Sequence, residues 1–197
     1  MRLEDIQDFS RFTAELQRET DRGLALVGAA LLDEKLTQTL RSFFCEEKSA
    51  ESLLDDGDAP LGTFSSRTEL CFALGLIDEF EYQEINLIRK VRNEFAHAKH
   101  GTTFQTEKIK SFCSNLKSHL PEGAGHPTKD PRFRLINSIV AMVLRLYYRA
   151  DWVAKERRMP KTWVPEDLTR WRSIDQEKPP EGVPVVVVAK RGRRDAP

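Results

Sequence analysis

With 197 residues, 40% hydrophobic and 31% charged, the chain can bury the core of one domain of ordinary size and still carry a tail. The opening Met1-Arg2-Leu3-Glu4-Asp5 is acidic with no apolar run behind it, so no secretion signal is expected, and the longest membrane-like run, Gly23–Leu32, is far shorter than the ~20 residues a span needs. The 31 basic and 31 acidic residues cancel overall but not locally: residues 1–130 hold 16 Lys+Arg against 23 Asp+Glu, and residues 131–197 hold 15 against 8. That division suits head-to-tail docking of two copies or a basic arm laid on an acidic partner or nucleic acid. It equally suits a basic helix packed on an acidic one.

In chain order, Ile6, Phe9, Phe12 and Leu16 recur three or four apart and predict an amphipathic helix over 4–20. Gly23–Phe44 reads as a longer helix whose first half is apolar all round, hence the central buried helix, with Gly28, Ala29 and Ala30 open to a close neighbour. Glu46–Pro60 reads as an acidic loop. Asp55-Asp56-Gly57-Asp58 lacks the later Glu of a calcium-binding loop, so no metal site is expected. Ser66 and Glu69 form a capping box for a short helix, Arg67–Leu74, which Gly75 ends. Thr106–Leu120 and Phe133–Ala154 read as two more amphipathic helices around the Gly- and Pro-rich loop Pro121–Pro131. Cys45, Cys71 and Cys113 are odd in number and far apart in apolar settings. They read as buried thiols in a reducing cytoplasm, neither a disulfide frame nor metal ligands.

The fold class expected is therefore all-α: a bundle of five to six helices over 1–158. Residues 159–197 form a basic tail containing Pro and Trp, partly disordered or a truncated β module. Its one short β-prone stretch is Val183–Ala189, and Lys190-Arg191-Gly192-Arg193-Arg194 follows.

The remaining helix, Glu81–His97, draws the most attention. Asp78 and Glu81 repeat the capping pattern at its start. Tyr82, Ile85, Ile88, Val91 and Phe95 make one apolar stripe, while Asn86, Arg89, Asn93 and His97 make a polar one. Arg92, Asn93 and His97 bring guanidinium, amide and imidazole to one helix end, the residue types that handle a phosphate or a proton. Positions five apart on a regular helix lie ~140° apart in projection. Arg92 and His97 can therefore converge only if the helix loosens near Ala96 or if two copies meet. The plainer alternative pairs Arg92 with a carboxylate and uses His97 as a C-terminal cap. His100, His119 and His126 read as surface residues.

The segment Ala59–His97 resembles the mannitol operon repressor family of bacteria. It does so through Pro60-Leu61-Gly62, Ser65/Ser66, Leu74-Gly75-Leu76-Ile77, Glu81-Tyr82 and the Arg92…His97 ending. The resemblance implies an all-helical protein acting in transcriptional repression, with a partner-binding role at least as much as direct DNA binding. Arg92-Asn93-x-x-x-His97 also resembles the R-x4-6-H signature of HEPN domains, helical modules that often act as metal-independent ribonucleases at a dimer interface. On that reading Arg92 and His97 are catalytic, with Asn93 and Arg89 in support and no cofactor. The tail stretch from Arg170-Trp171-Arg172 to Val185 resembles the opening of a small β-rich domain of bacterial and phage proteins.

Three functions follow as expectations. The first is a cytoplasmic regulatory homodimer that binds a protein partner or nucleic acid. The second is a HEPN-type ribonuclease. The third is DNA binding through a basic C-terminal arm, Arg145–Arg158 with Lys190–Arg194, in which Arg145, Arg149, Arg157 and Arg158 are the binding candidates.

Overall fold

A computed structural model of the chain describes residues 3–54, 59–98, 100–121 and 125–163. Among them it has eight α-helices, one 3-10 turn and no strand: α1 (Leu3–Arg18), α2 (Asp21–Phe43), α3 (Lys48–Leu54), α4 (Phe64–Ala73), α5 (Glu79–His97), α6 (Glu107–Ser114), α7 (Pro131–Leu146), α8 (Arg149–Val153) and the turn Ala154–Glu156. The chain divides into two compact units, Met1–Met159 and Pro160–Pro197. The β-prone stretch and the basic run at 190–194 lie outside the described residues, as does Asp55–Asp58.

The first unit is built round α2, which packs against α1, α3, α4, α5, α7 and α8. Leu24, Ala25, Gly28, Ala29, Leu32, Leu36 and Leu40 turn inward. The expectation of a helix buried all round does not hold, since Val27 is 43% exposed. Gly28 does admit a close neighbour. A Cβ built there would sit 2.4 Å from Ile139 Cδ1, so α7 nests against α2 at a position without a side chain.

The all-α architecture is as expected; the segment count is higher for local reasons. The acidic loop contains α3, whose buried Leu54 ties it to the core. The next helix starts earlier than Arg67, because Thr63, not Ser66, is its N-cap; Ser66 sits at the third position and completes the box from inside. Its end is a Schellman motif: Leu76 N–H donates to Cys71 O and Gly75 N–H to Phe72 O, with Gly75 at φ 70°. The last long helix breaks at Tyr147-Tyr148, where both hydroxyls donate to the Asp5 carboxylate of α1. Helix α6 stops at Ser114 instead of Leu120, because Arg134 and Glu84 take the backbone groups beyond it.

Candidate functional site

Helix α5 begins as its sequence says. Asp78 accepts from Glu81 N–H, and the Glu81 carboxylate accepts from Asp78 N–H. Its inner stripe of Ile85, Ile88, Val91 and Phe95 is buried against the core. The less expected feature is two buried glutamates on the same helix.

Glu81 is fully buried and its carboxylate is fully engaged. Arg145 Nε reaches it at 2.9 Å and Arg149 Nη2 at 2.7 Å, while Arg145 Nη2 also pairs with Asp78. For Arg145 burial works against the charge, but the hydrogen bond and charge of Glu81, followed by Asp78, outweigh it and raise the guanidinium pKa. Glu84 is 1% exposed and accepts from Ser118 Oγ at 2.7 Å, from Ser138 Oγ and from Lys117 N–H. It pins the segment after α6 and the middle of α7 to α5. A buried carboxylate is tolerated only when its lone pairs are met in this way.

Arginines close four helix ends, those of α1, α2, α5 and α6. The C-terminal carbonyls of a helix are unpaired acceptors at its negative end. Arg22, in the first turn of α2, donates to Phe95 O at 2.9 Å and to Ala96 O and Ala98 O, capping α5. Arg132 donates to Gln17 O in the last turn of α1 and to Glu19 O just beyond it, and pairs with Asp21. Arg134 donates to Cys113 O, Ser114 O and Leu116 O at the end of α6. Arg157 donates to Ser42 O in α2 and pairs with Glu46.

The expected site residues are therefore placed unequally. Arg145, Arg149 and Arg157, read from sequence as part of a basic binding arm, pair with Asp78, Glu81, Glu46 and a helix end, with Arg145 still exposed at the bundle surface. The basic-on-acidic packing is the alternative realised here. Arg158 is exposed, and its backbone carbonyl accepts the Cys45 thiol at 2.8 Å. Arg89 donates to Asn86 Oδ1 at 3.0 and 3.2 Å, and Arg92 donates to Asn93 Oδ1 at 2.9 Å, not to a carboxylate. The α-helical pattern runs through His97 to a cap at Ala98, whose N–H still donates to Glu94 O. The helix does not loosen near Ala96, so Arg92 and His97 stay on different sides of α5 within one chain. His97 is exposed, and Arg22 caps the helix in its place.

Sequence reading missed the cleft on the outer side of α5. It is about 520 Å³, and its walls include Tyr82, Asn86, Arg89 and Lys90 from α5, Glu69 from α4, and Asn115 and Lys117 after α6. Tyr82 donates to Glu69 at 2.9 Å and stacks on Phe72 with centroids 4.3 Å apart. The hydrogen bond to Glu69 first, and then burial and the Glu69 charge, raise the Tyr82 pKa.

Cys71 and Cys113 are buried thiols, each pushed up to about 12 by burial, against the smaller opposing effect of Arg149 and Arg134. Cys45 is only half-buried, contrary to expectation. Among the described residues no cluster of three or more His, Cys, Asp or Glu could hold a metal ion, and no helix is long and apolar enough to cross a membrane.

The fold defines the class: a helical bundle assembled on one central helix, with its polar chemistry gathered on the helix beside it. Comparison with known proteins narrows this. The family pattern of mannitol repressors, MtlR, matches residues 15–131. The chain is 30% identical over 137 residues to the mannitol operon repressor of Escherichia coli K12, a match covering 67% of this chain and 68% of that protein. The same values hold for the mannitol operon repressor of E. coli O6:H1 strain CFT073. The chain belongs to the mannitol repressor family. A similar fold occurs in the X-ray structure of the MtlR–HPr complex from E. coli, with TM-score 0.55 and 23% identity, covering 70% of this chain and 97% of that one.

Proposed function

We propose that the protein acts in transcriptional regulation in the cytoplasm and does so by binding a protein partner. Family membership carries the reading: relatives that align over two-thirds of the chain are mannitol operon repressors, and a structure of similar fold is a complex with the protein HPr. Arg145, Arg149 and Arg157 of the expected basic arm are paired with carboxylates of the bundle, which favours a protein partner; the arm's Lys190–Arg194 run lies outside the described residues. The test is titration of the purified chain with HPr, together with transcript levels in a deletion strain. Saturable binding and altered transcripts support the reading. No binding together with unchanged transcripts would remove it.

A second reading rests on His97, which is exposed at the end of the helix that carries Arg92 and Asn93. A HEPN-type ribonuclease built from these residues requires a homodimer, because the regular end of α5 keeps Arg92 and His97 apart in one chain. Incubation with single-stranded RNA in EDTA tests it. Cleavage by the wild type that falls about 10²–10⁴-fold in His97→Ala supports it; no cleavage, or equal cleavage by both, rejects it.

A further inference from the structure

Most arginines of the bundle have a carboxylate or a helix end to neutralise them. Three cations at the outer cleft of α5 do not. Arg89 bonds only the neutral Asn86. Lys117 Nζ approaches Gln83 Oε1 at 3.5 Å, and Lys90 Nζ lies 5.9 Å from the Phe112 ring centroid. Among the described residues none of the three has an ion pair, although all three line one concavity. The lining also holds two carboxylates, Glu69 and the buried Glu84, both hydrogen-bonded by neutral groups, so three cations stand against two carboxylates and one positive charge is in excess. Unbalanced charge gathered in a concave site attracts an anion.

The shape narrows what the anion is. Tyr82 and Lys90 both line the cleft, and eight residues of α-helix advance about 12 Å. That length matches about four residues of extended chain. We infer that the cleft between α5 and the segment after α6 is a docking groove for a short acidic segment of a protein partner, with Arg89, Lys90 and Lys117 receiving its carboxylates and Tyr82 lining one end. The inference rests on the partner-binding reading and says where and by what chemistry the partner is held.

Anisotropy titration of the full chain with a fluorescein-labelled hexaglutamate peptide at low salt tests it. Lys90 and Lys117 are exposed, so Lys90→Glu/Lys117→Glu should keep its helical circular dichroism. The wild type should bind saturably, and the double variant about tenfold more weakly. The control Lys48→Glu/Lys155→Glu, with the same charge change elsewhere on the surface, should bind as the wild type does. No saturable binding, or equal loss in the control, overturns the inference. Displacement of the peptide by equimolar inorganic phosphate overturns it in favour of a small anion. A wild-type dimer that dissociates in the Lys90/Lys117 variant overturns it in favour of a second copy. A partner that binds wild type and double variant alike removes the groove while leaving the regulatory reading intact. Groove binding that obeys the charge reversal, with no effect on transcripts, does the opposite.

Discussion

The two sides of α5 carry the same kinds of cation to opposite ends. At its first turn, Arg145 and Arg149 close on the buried Glu81, and their charge is spent joining α7 and α8 to α5. On its outer side, Arg89 and Lys117 meet side-chain amides and Lys90 lies over the Phe112 ring, and none has an ion pair among the described residues. A count of basic residues cannot separate the two sets; an ion pair to a buried carboxylate does. Arg145 and Arg149, read in sequence as part of a nucleic-acid arm, hold the fold, and scattered cations of the acidic part line the cleft.

The largest way to break this contrast is Glu81→Ala. It leaves two guanidiniums facing each other and should cost about 3–5 kcal/mol in urea unfolding. A cost below ~1 kcal/mol would show that the buried pair is not structural. Next is the end of α5. Arg22→Ala removes three carbonyl contacts and should cost about 1–2 kcal/mol, whereas His97→Ala should stay within ~0.5 kcal/mol. Equal costs would restore His97 as the cap.

A smaller effect is expected at alkaline pH. Burial raises Cys71 and Cys113 from the ordinary 9.0 to about 12. The folded state then holds protons that the unfolded state has released, so stability falls as pH rises from 9.0 toward about 12. Cys71→Ala/Cys113→Ala should flatten that decline in a pH series of unfolding free energies. The smallest effect is kinetic. Cys45 should react with a thiol reagent in the native state, and Cys71 and Cys113 only after unfolding. Three equally fast thiols would mean that the core is open.

Much of the fold is legible in the sequence because it is local. The 3.6-residue period of α5, its Asp78/Glu81 box and the Gly75 stop are short-range signals, and all three operate. The break between α7 and α8 is not local. It goes with Tyr147 and Tyr148 bonding Asp5, more than 140 residues away in sequence. The capping arginines are invisible for the same reason. Their partners are backbone carbonyls of distant helices, which carry no side-chain pattern. For the candidate site, the polar stripe of α5 was readable from spacing, but Lys117 joins it only because Glu84 pulls the segment after α6 against the helix. The resemblance read from Ala59–His97 agrees with the family. The HEPN-like spacing of Arg92 and His97 met a helix that stays regular to its end.

The most direct test of the division is urea unfolding of two double variants side by side. Arg145→Ala/Arg149→Ala should lose about 3–5 kcal/mol, while Lys90→Glu/Lys117→Glu should unfold within ~0.5 kcal/mol of the wild type. If the lysine variant loses as much as the arginine variant, the outer cations are structural and the division fails.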